Sequence, residues 1–506
     1  PIISQMGLVI RTKTDERGTV VSVKKRLILD CRRSYVNPCA RAAQRITLPR
    51  PLDAVDDALR SRRALHAASR DTSTAGHSGA AYKDMERDLA RADLEHLVAD
   101  FSDAYWMMPL HFDERPYQAA HYRGKWIIFL RTGQGTKASS LTWGTFSAAM
   151  GRLAQSLFHP DELRLQVYTD DPLAVVSGTK PQRDRLMTIL LCTWMILGLK
   201  VAFHKATRGQ DTVWIGARLL LQPRGITVTA SEEMVKDITG LVREMLLHNY
   251  SSLEDVRKLA GKSNHIAGLI QAWRPFLAPL WAAITKATKD PMHPQRWIWR
   301  RQIIDALTWI QAFLQHRLGA MTRTYELRHH FNQGIPTRIV FDASGWGLGG
   351  ALYVDSKLVQ YFSSSLSPAD LRRFNFALGD DKGQQTWEAL ALLVSLRLWA
   401  PWWKRARCSL HVSGDNIAAL VLLADLKSKG PAINIIAREL ALELGDSLYR
   451  PDLITHVPGL SNKLTDYLSR LDAPGGPPGE RPSALDEALE VRAPARNDAW
   501  FLARRR

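Results

Sequence analysis

A chain of 506 residues is too long for one hydrophobic core, so several domains of ordinary size are expected. Its composition is globular, 45% hydrophobic and 23% charged, and no apolar run approaches the roughly 18 to 20 residues that span a bilayer. The 68 Lys and Arg against 50 Asp and Glu leave +18, which favours a polyanionic partner such as nucleic acid over a small acidic metabolite.

In chain order, residues 20 to 48 carry strand-like runs in which β-branched residues mix with a basic cluster, "VVSVKKRLILDCRRSYVN". From about Ser61 to Glu95 the residues turn small, polar and charged, which predicts a mobile insertion or a loose helix. "LVADFSDAYWMMPL" and "KWIIFLRT" then read as buried strands, and "TWGTFSAAMGRLAQSLF" as a helix. In "LRLQVYTDDPLAVV", Leu163, Leu165 and Val167 alternate at strand period, and Leu173 to Val176 is a second apolar run. A helix, "RDRLMTILLCTWMILG", leads to "LKVAFHKA" and "VWIGARLLL", so this part mixes α and β.

Residues 231 to 330 read as mainly helical, with Ser231 before Glu232 and Glu233, and Ser252 three residues before Asp255, as helix starts. Strands return in "RIVFDASGWGLGGALYVDSKLVQYF", followed by the helix "TWEALALLVSLRLW" and the strand "SLHVSGDN". "PGGPPGERP" at 474 to 482 is expected to end the folded part, with a disordered tail to Arg506. Cys31, Cys39, Cys192 and Cys408 lack zinc-ligand or disulfide-scaffold spacing, so free thiols in a reducing compartment are expected. Localisation within the cell, cytoplasmic or nuclear, stays open. A chain that begins with Pro1 suggests a fragment or a piece of a longer polyprotein.

Two acidic constellations carry chemistry. Asp170 and Asp171 sit side by side between two strands, where a plain hairpin turn is one reading and a divalent-cation site the other. The second reading needs a third carboxylate, and Asp100, closing an apolar strand, supplies it, although a lone strand Asp is commonly an edge or cap. Further on, Asp342 closes a strand, Glu388 sits in a helix, Asp415 ends a strand and Asp466 lies in "NKLTDYLSRL". Such a set of carboxylates suits a two-metal site that activates water for phosphodiester hydrolysis. Taken singly, each reads equally as a capping or turn acid.

These residues also carry a family resemblance. "YTDD" resembles the Tyr-x-Asp-Asp box of reverse transcriptases, "ADFSDAYW" their first catalytic motif, and "TGQGTKASSLTWGTF" their Gln-Gly segment. "KKRLILDCR", "LGLKVAFHK" and "VWIGARL" are similar to the fingers, Gly-Leu…Lys and primer-grip motifs, in the family's order. Asp342, Glu388, Asp415 and Asp466 look like the carboxylates of ribonuclease H, and "HVPGLSNKLTDYLSRL" is similar to the terminal signature of retroelement ribonuclease H, closest to Ty3-like and DIRS-like elements.

The resemblance implies an α+β multidomain protein: a right-hand polymerase fold of fingers, palm and thumb, a helical connection, and an α/β ribonuclease H-like domain. Fingers and palm would occupy 1–230 with an insertion at 61–95, thumb and connection 231–330, the ribonuclease H domain 335–472, and the disordered tail 473–506. It implies an RNA-directed DNA polymerase that extends a DNA primer on an RNA or DNA template from dNTPs and degrades the RNA of the RNA–DNA hybrid. Two Mg²⁺ per site, or Mn²⁺, would be held by Asp100, Asp170 and Asp171, and by Asp342, Glu388, Asp415 and Asp466. Arg26, Tyr105, Gln134 and Lys205 would contact the nucleotide, and Trp214 and Gly216 would belong to the primer grip. The alternative is a domesticated or decayed retroelement protein that binds nucleic acid or keeps nuclease activity alone. Pro172, after the acidic pair, and the short loop that puts His456 before Pro-Gly depart from the family pattern; His456 is not given the role of its mobile catalytic histidine.

Overall fold

The computed structural model describes residues 2–14, 20–40, 46–74, 92–289, 296–317, 321–327, 334–405, 408–427, 430–446 and 453–501. It is a mixed α+β protein of two compact units, Pro1–Pro223 and Arg224–Arg506.

In the first unit, strands β1 (Gln5–Thr14) and β2 (Val20–Asp30) form an antiparallel hairpin. Helix α1 (Pro51–Thr74) runs into the stretch at 61–95 expected as insertion or loose helix; its residues 75–91 lie outside the described residues, and its last three, Asp93 to Glu95, belong instead to a strand. β3 (Asp93–Val98), the hairpin β4 (Ala119–Tyr122) and β5 (Lys125–Ile128), and helix α2 (Lys137–Gln155) follow. Then come β6 (Leu163–Tyr168), β7 (Asp171–Gly178), helix α3 (Lys180–Ile196), β8 (Thr207–Gly209), and the hairpin β9 (Asp211–Trp214) and β10 (Ala217–Gln222).

The central sheet has the order β6-β7-β3-β8, antiparallel throughout. Helices pack on this sheet, and β7 carries the continuous apolar run of a strand buried on both sides. Beneath it, Phe101 meets Trp143 and Trp194 edge-on, at 6.2 and 5.2 Å between ring centres, within one buried cluster. This packing fixes the backbone beside Asp100 before any polar contact is made.

The second unit starts with β11 (Gly225–Ala230) and the helices α4 (Glu232–Leu247), α5 (Leu253–Leu269), α6 (Ala278–Ala287) and α7 (Arg300–Leu314). Ser231 and Ser252 accept hydrogen bonds from the backbone N–H groups of Met234 and Asp255 at the starts of α4 and α5. Short strands β12 (Tyr250–Ser252) and β13 (Trp297–Trp299) pair with each other, and β14 (Thr322–Glu326) pairs with β11.

Beyond them a six-stranded sheet has the order β19-β18-β15-β16-β17-β20. Its strands are β15 (Ile335–Ala343), β16 (Gly347–Val354), β17 (Lys357–Ser365), β18 (Cys408–Gly414), β19 (Leu453–His456) and β20 (Leu489–Glu490). Helices α8 (Pro368–Phe374), α9 (Gln384–Arg405), α10 (Ile417–Asp425), α11 (Pro431–Asp446) and α12 (Lys463–Ser469) complete it. No helix among the described residues is long and apolar enough to cross a membrane.

The stretch expected to be a disordered tail is instead, through residue 501, a strap laid on this sheet. Leu485 is buried with Tyr361 and Leu468, β20 pairs with β17, and Phe501 is buried against Phe374. Arg496 and Asp370, 126 residues apart, form a buried ion pair whose guanidinium also reaches Ser364 Oγ and the Ser365 carbonyl. Pro and Gly rule out regular structure locally, but long-range partners order a chain without it. Arg496→Ala leaves a buried carboxylate without its counter-charge, so the stability of this unit is expected to fall by about 3–5 kcal/mol. Chemical denaturation checks this; Arg481→Ala, which removes an exposed pair with Asp486, should leave the midpoint nearly unchanged.

Candidate functional site

Each unit holds a carboxylate constellation of its own. In the first, β6 and β7 pair with Tyr168 opposite Asp171 and Val167 opposite Pro172, leaving Thr169 and Asp170 as a two-residue loop. Thr169 adopts φ +56, a conformation that β-branched residues rarely take. It is held because four successive carbonyls are each pinned from another segment. Thr169 O accepts from the Trp143 indole at 2.8 Å and Asp170 O from Phe101 N at 2.8 Å. Asp171 O accepts from the Trp214 indole at 2.9 Å and Pro172 O from Ala99 N at 3.0 Å. The hairpin therefore survives Pro172, and the backbone under the acidic pair is rigid.

The same bonds bring Asp100 to the pair, since it lies between Ala99 and Phe101. Lys205, on the short turn after α3, donates to Asp100 Oδ2 at 2.8 Å. Tyr105 is half-buried, and burial, with Asp170 adding to it and Arg26 opposing, raises its phenol above the ordinary value. Arg26 Nε is buried with no hydrogen-bond partner among the described residues. Gln134 accepts from Leu29 N at 2.9 Å through its carbonyl and so ties β2 to the loop before α2. Gly135 beside it has φ +106, and a Cβ there would lie 2.0 Å from Leu29 O, so no other residue fits.

Trp214 and Gly216, the residues of the primer-grip motif, lie at the β9–β10 hairpin. Trp214 is buried and its indole is committed to the Asp171 carbonyl, while Gly216, φ +77, forms the β9–β10 turn. Trp214 supports the acidic hairpin from within.

In the second unit, Asp342 near the end of β15, Glu388 in α9 and Asp415 just past β18 converge, with one carboxylate oxygen from each within 4.8 Å of the others. This is the group of at least three potential ligands that converges so among the described residues; Asp100, Asp170 and Asp171 do not. Asp342 accepts from Ser469 Oγ at 2.6 Å and more loosely from Asn462 Nδ2 at 3.5 Å. Glu388 Oε1 accepts from Gln384 Nε2 at 2.9 Å, whereas its Oε2 is buried with no hydrogen-bond partner of ordinary geometry among the described residues. Asp466 stands one step outside, paired with Arg470 at 2.6 Å but near enough to raise Asp342 and Asp415. His456 reaches the Asp415 carbonyl at 3.0 Å through Nε2.

The glycines of "GWGLGGAL" explain how Asp466 gets there. A Cβ on Gly349 would lie 2.6 Å from Thr465 O, so α12 rests directly on β16 only because that strand has no side chain at this point. Ser469, Asn462 and Gln384, which orient the carboxylates, were not singled out from the sequence; the first two lie within the terminal "SNKLTDYLSR" motif.

Burial, with Asp415 and Asp466 adding repulsion against the Ser469 hydrogen bond, pushes Asp342 up to about 7. Burial, then the charges of Asp342 and Asp415, pushes Glu388 up to about 9, and Asp415 is raised as well. All three folded values exceed the unfolded ones, so their stabilisation is full below about pH 4 and is lost as pH rises through these values. A divalent cation replaces those protons. The rise in melting temperature on adding Mg²⁺ is therefore expected to be small near pH 5.5 and to grow up to about pH 9. Scanning calorimetry at both ends of that range checks it, and a shift independent of pH contradicts this account of the site.

Neither a known protein family nor a curated protein matches the sequence. Solved structures similar to it include the foamy viral protease-reverse transcriptase dRH in complex with ds DNA, 15% identical, covering 89% of this chain and 66% of that one, with a TM-score of 0.42. The foamy viral protease-reverse transcriptase in complex with RNA/DNA hybrid is 15% identical over 90% of this chain and 52% of that one, at 0.41. The complex of that protein with dsDNA is 14% identical over 89% and 79%, also at 0.41. The chain thus spans about two thirds of the first of these proteins and about half of the second.

Proposed function

We propose that the chain is a retroelement RNA-directed DNA polymerase with ribonuclease H activity, its first unit carrying fingers and palm and its second the thumb, connection and nuclease. The observation that carries this reading is the convergence of Asp342, Glu388 and Asp415, with one carboxylate oxygen from each within 4.8 Å of the others. Hard oxygen ligands in that number suit Mg²⁺ or Mn²⁺. Bound there, with Asp466 as outer ligand, the cations would supply an activated water and charge neutralisation at the scissile phosphate. Ser469, Asn462 and Gln384 hold the carboxylates in orientation meanwhile.

In the polymerase unit, Asp170 and Asp171 are presented by the pinned hairpin beside Asp100, the set that would hold the second pair of cations. Arg26 offers its free guanidinium edge to the triphosphate of a dNTP. Tyr105 would lie beneath the sugar and exclude a 2′-hydroxyl, with Gln134 at the nucleotide. Lys205 now neutralises Asp100 and would turn to the pyrophosphate as the leaving group. Catalysis of this kind is chiefly positioning, which the rigid hairpin serves.

One observation favours a nuclease without polymerase activity: the carboxylates of Asp100, Asp170 and Asp171 do not converge as the second set does. Primer extension separates the two. With Mg²⁺ and dNTPs the protein is expected to extend a DNA primer on an RNA template; hybrid cleavage without extension selects the nuclease reading, and neither activity removes both.

A further inference from the structure

Strands β12 and β13 form a ribbon in which Tyr250 lies opposite Trp299 and Ser252 opposite Trp297. The ladder continues at both ends, Arg300 N donating to Asn249 O and Leu253 N to Arg296 O, each at 2.8 Å. Strand alternation sends Ser251 and Ile298 inward, where both are buried. The outer face then shows Tyr250, Trp297 and Trp299, which keep 53%, 56% and 55% of their surface exposed. An antiparallel ribbon of this kind ordinarily turns polar residues to water, so three large rings on one exposed face call for a ligand.

The rings meet edge to face. Tyr250 lies 5.2 Å from Trp297 at 80° and 6.4 Å from Trp299 at 79°, so neither pair is face-stacked and ring faces remain available. Positions 297 and 299 are separated by about 6.8 Å along a strand, twice the roughly 3.4 Å rise between stacked bases. The charge beside the rings is positive: Arg301 lies 5.9 Å over Trp299, and Arg296 is exposed at the other end of the strand. The nearest acids in sequence, Glu254 and Asp255, share Lys258, whose ammonium lies 3.0 and 3.4 Å from them.

We propose that this ribbon is a stacking platform for unpaired bases, a binding site for single-stranded nucleic acid that uses none of the residues of the two carboxylate sites and needs no metal. Aromatic faces recognise any base, and the arginines hold the backbone, so the platform binds strands without reading their sequence. The proposal goes beyond polymerase and nuclease activity, because it holds whether or not either is present. A duplex hides its base faces and is not a ligand for it.

The test uses the full chain and fluorescence anisotropy with a labelled oligothymidylate and a labelled blunt RNA–DNA hybrid. The double variant Trp297→Ala, Trp299→Ala is expected to bind the single strand about ten- to a hundredfold more weakly and the hybrid as before, and the double Trp→Phe variant to retain most of the affinity. Photo-crosslinking an iodouracil-containing strand to the wild-type protein should place adducts on Tyr250, Trp297 or Trp299. Unchanged single-strand binding overturns the proposal, as does an equal loss for both nucleic acids or adducts confined to other segments. Sedimentation showing wild-type dimers that the alanine variant converts to monomers would assign the face to a second copy of the chain and overturn it too.

Discussion

Asp342→Asn is expected to lower cleavage of the RNA strand in an RNA–DNA hybrid by at least about 10³-fold while leaving primer extension intact. The size follows from the position: Asp342 is the carboxylate common to the cluster, close to both Glu388 and Asp415 and nearly inaccessible to water. Removing a preorganised group aimed at developing charge in such a site typically costs 10²–10³ in rate, and losing a metal ligand adds to that. The variant should also be the more stable protein without metal. Amide for carboxylate removes a buried charge whose repulsion raises Glu388, and the Ser469 and Asn462 contacts can persist with the amide. Melting without metal at pH 8 should therefore rise, and the gain on adding Mg²⁺ should shrink. Cleavage lost together with stability would instead mark Asp342 as a structural acid, and cleavage retained would remove the nuclease assignment.

Asp100, Asp342 and Asp415 could be nominated from sequence because each stands at the end of an apolar run, where hydrophobic periodicity marks the element and the acid interrupts it. What periodicity cannot supply is the partner across the chain. Trp143 lies in the Gln-Gly segment and Trp214 in the primer-grip motif, yet both spend their indole N–H on the carbonyls of the acidic hairpin. Ser469 and Asn462 are short polar residues of a kind found in any loop, and only α12 lying on Gly349 brings them to Asp342. The strap failed for the same reason in reverse. Local composition around 474 to 482 opposes a packed segment, but the Arg496–Asp370 pair and the burial of Leu485 and Phe501 depend on residues more than a hundred positions away. The ribbon of Tyr250, Trp297 and Trp299 was invisible because its two strands have three residues each and two helices between them.

Asp170→Asn should abolish DNA synthesis, by about 10²–10³-fold or more, and spare hybrid cleavage. The hairpin makes this a clean experiment. Thr169, Asp170, Asp171 and Pro172 are held by their carbonyls, so a change in the Asp170 side chain does not release the turn. Asn is also a favoured turn residue, so the backbone keeps its geometry and only the charge is lost. The phenol of Tyr105 supplies a second readout. Asp170 contributes to raising it, so neutralising Asp170 should lower its titration midpoint, measurable by ultraviolet difference spectroscopy in the metal-free protein. A fall in that midpoint with loss of synthesis places Asp170, Tyr105 and the nucleotide in one site. Lys205→Met completes the set. It frees Asp100 of its present cation, so this variant should bind Mn²⁺ more tightly at the polymerase site yet extend primers more slowly, a split that a purely structural lysine would not produce. Synthesis unchanged in Asp170→Asn would leave the paired carboxylates as a hairpin turn and nothing more.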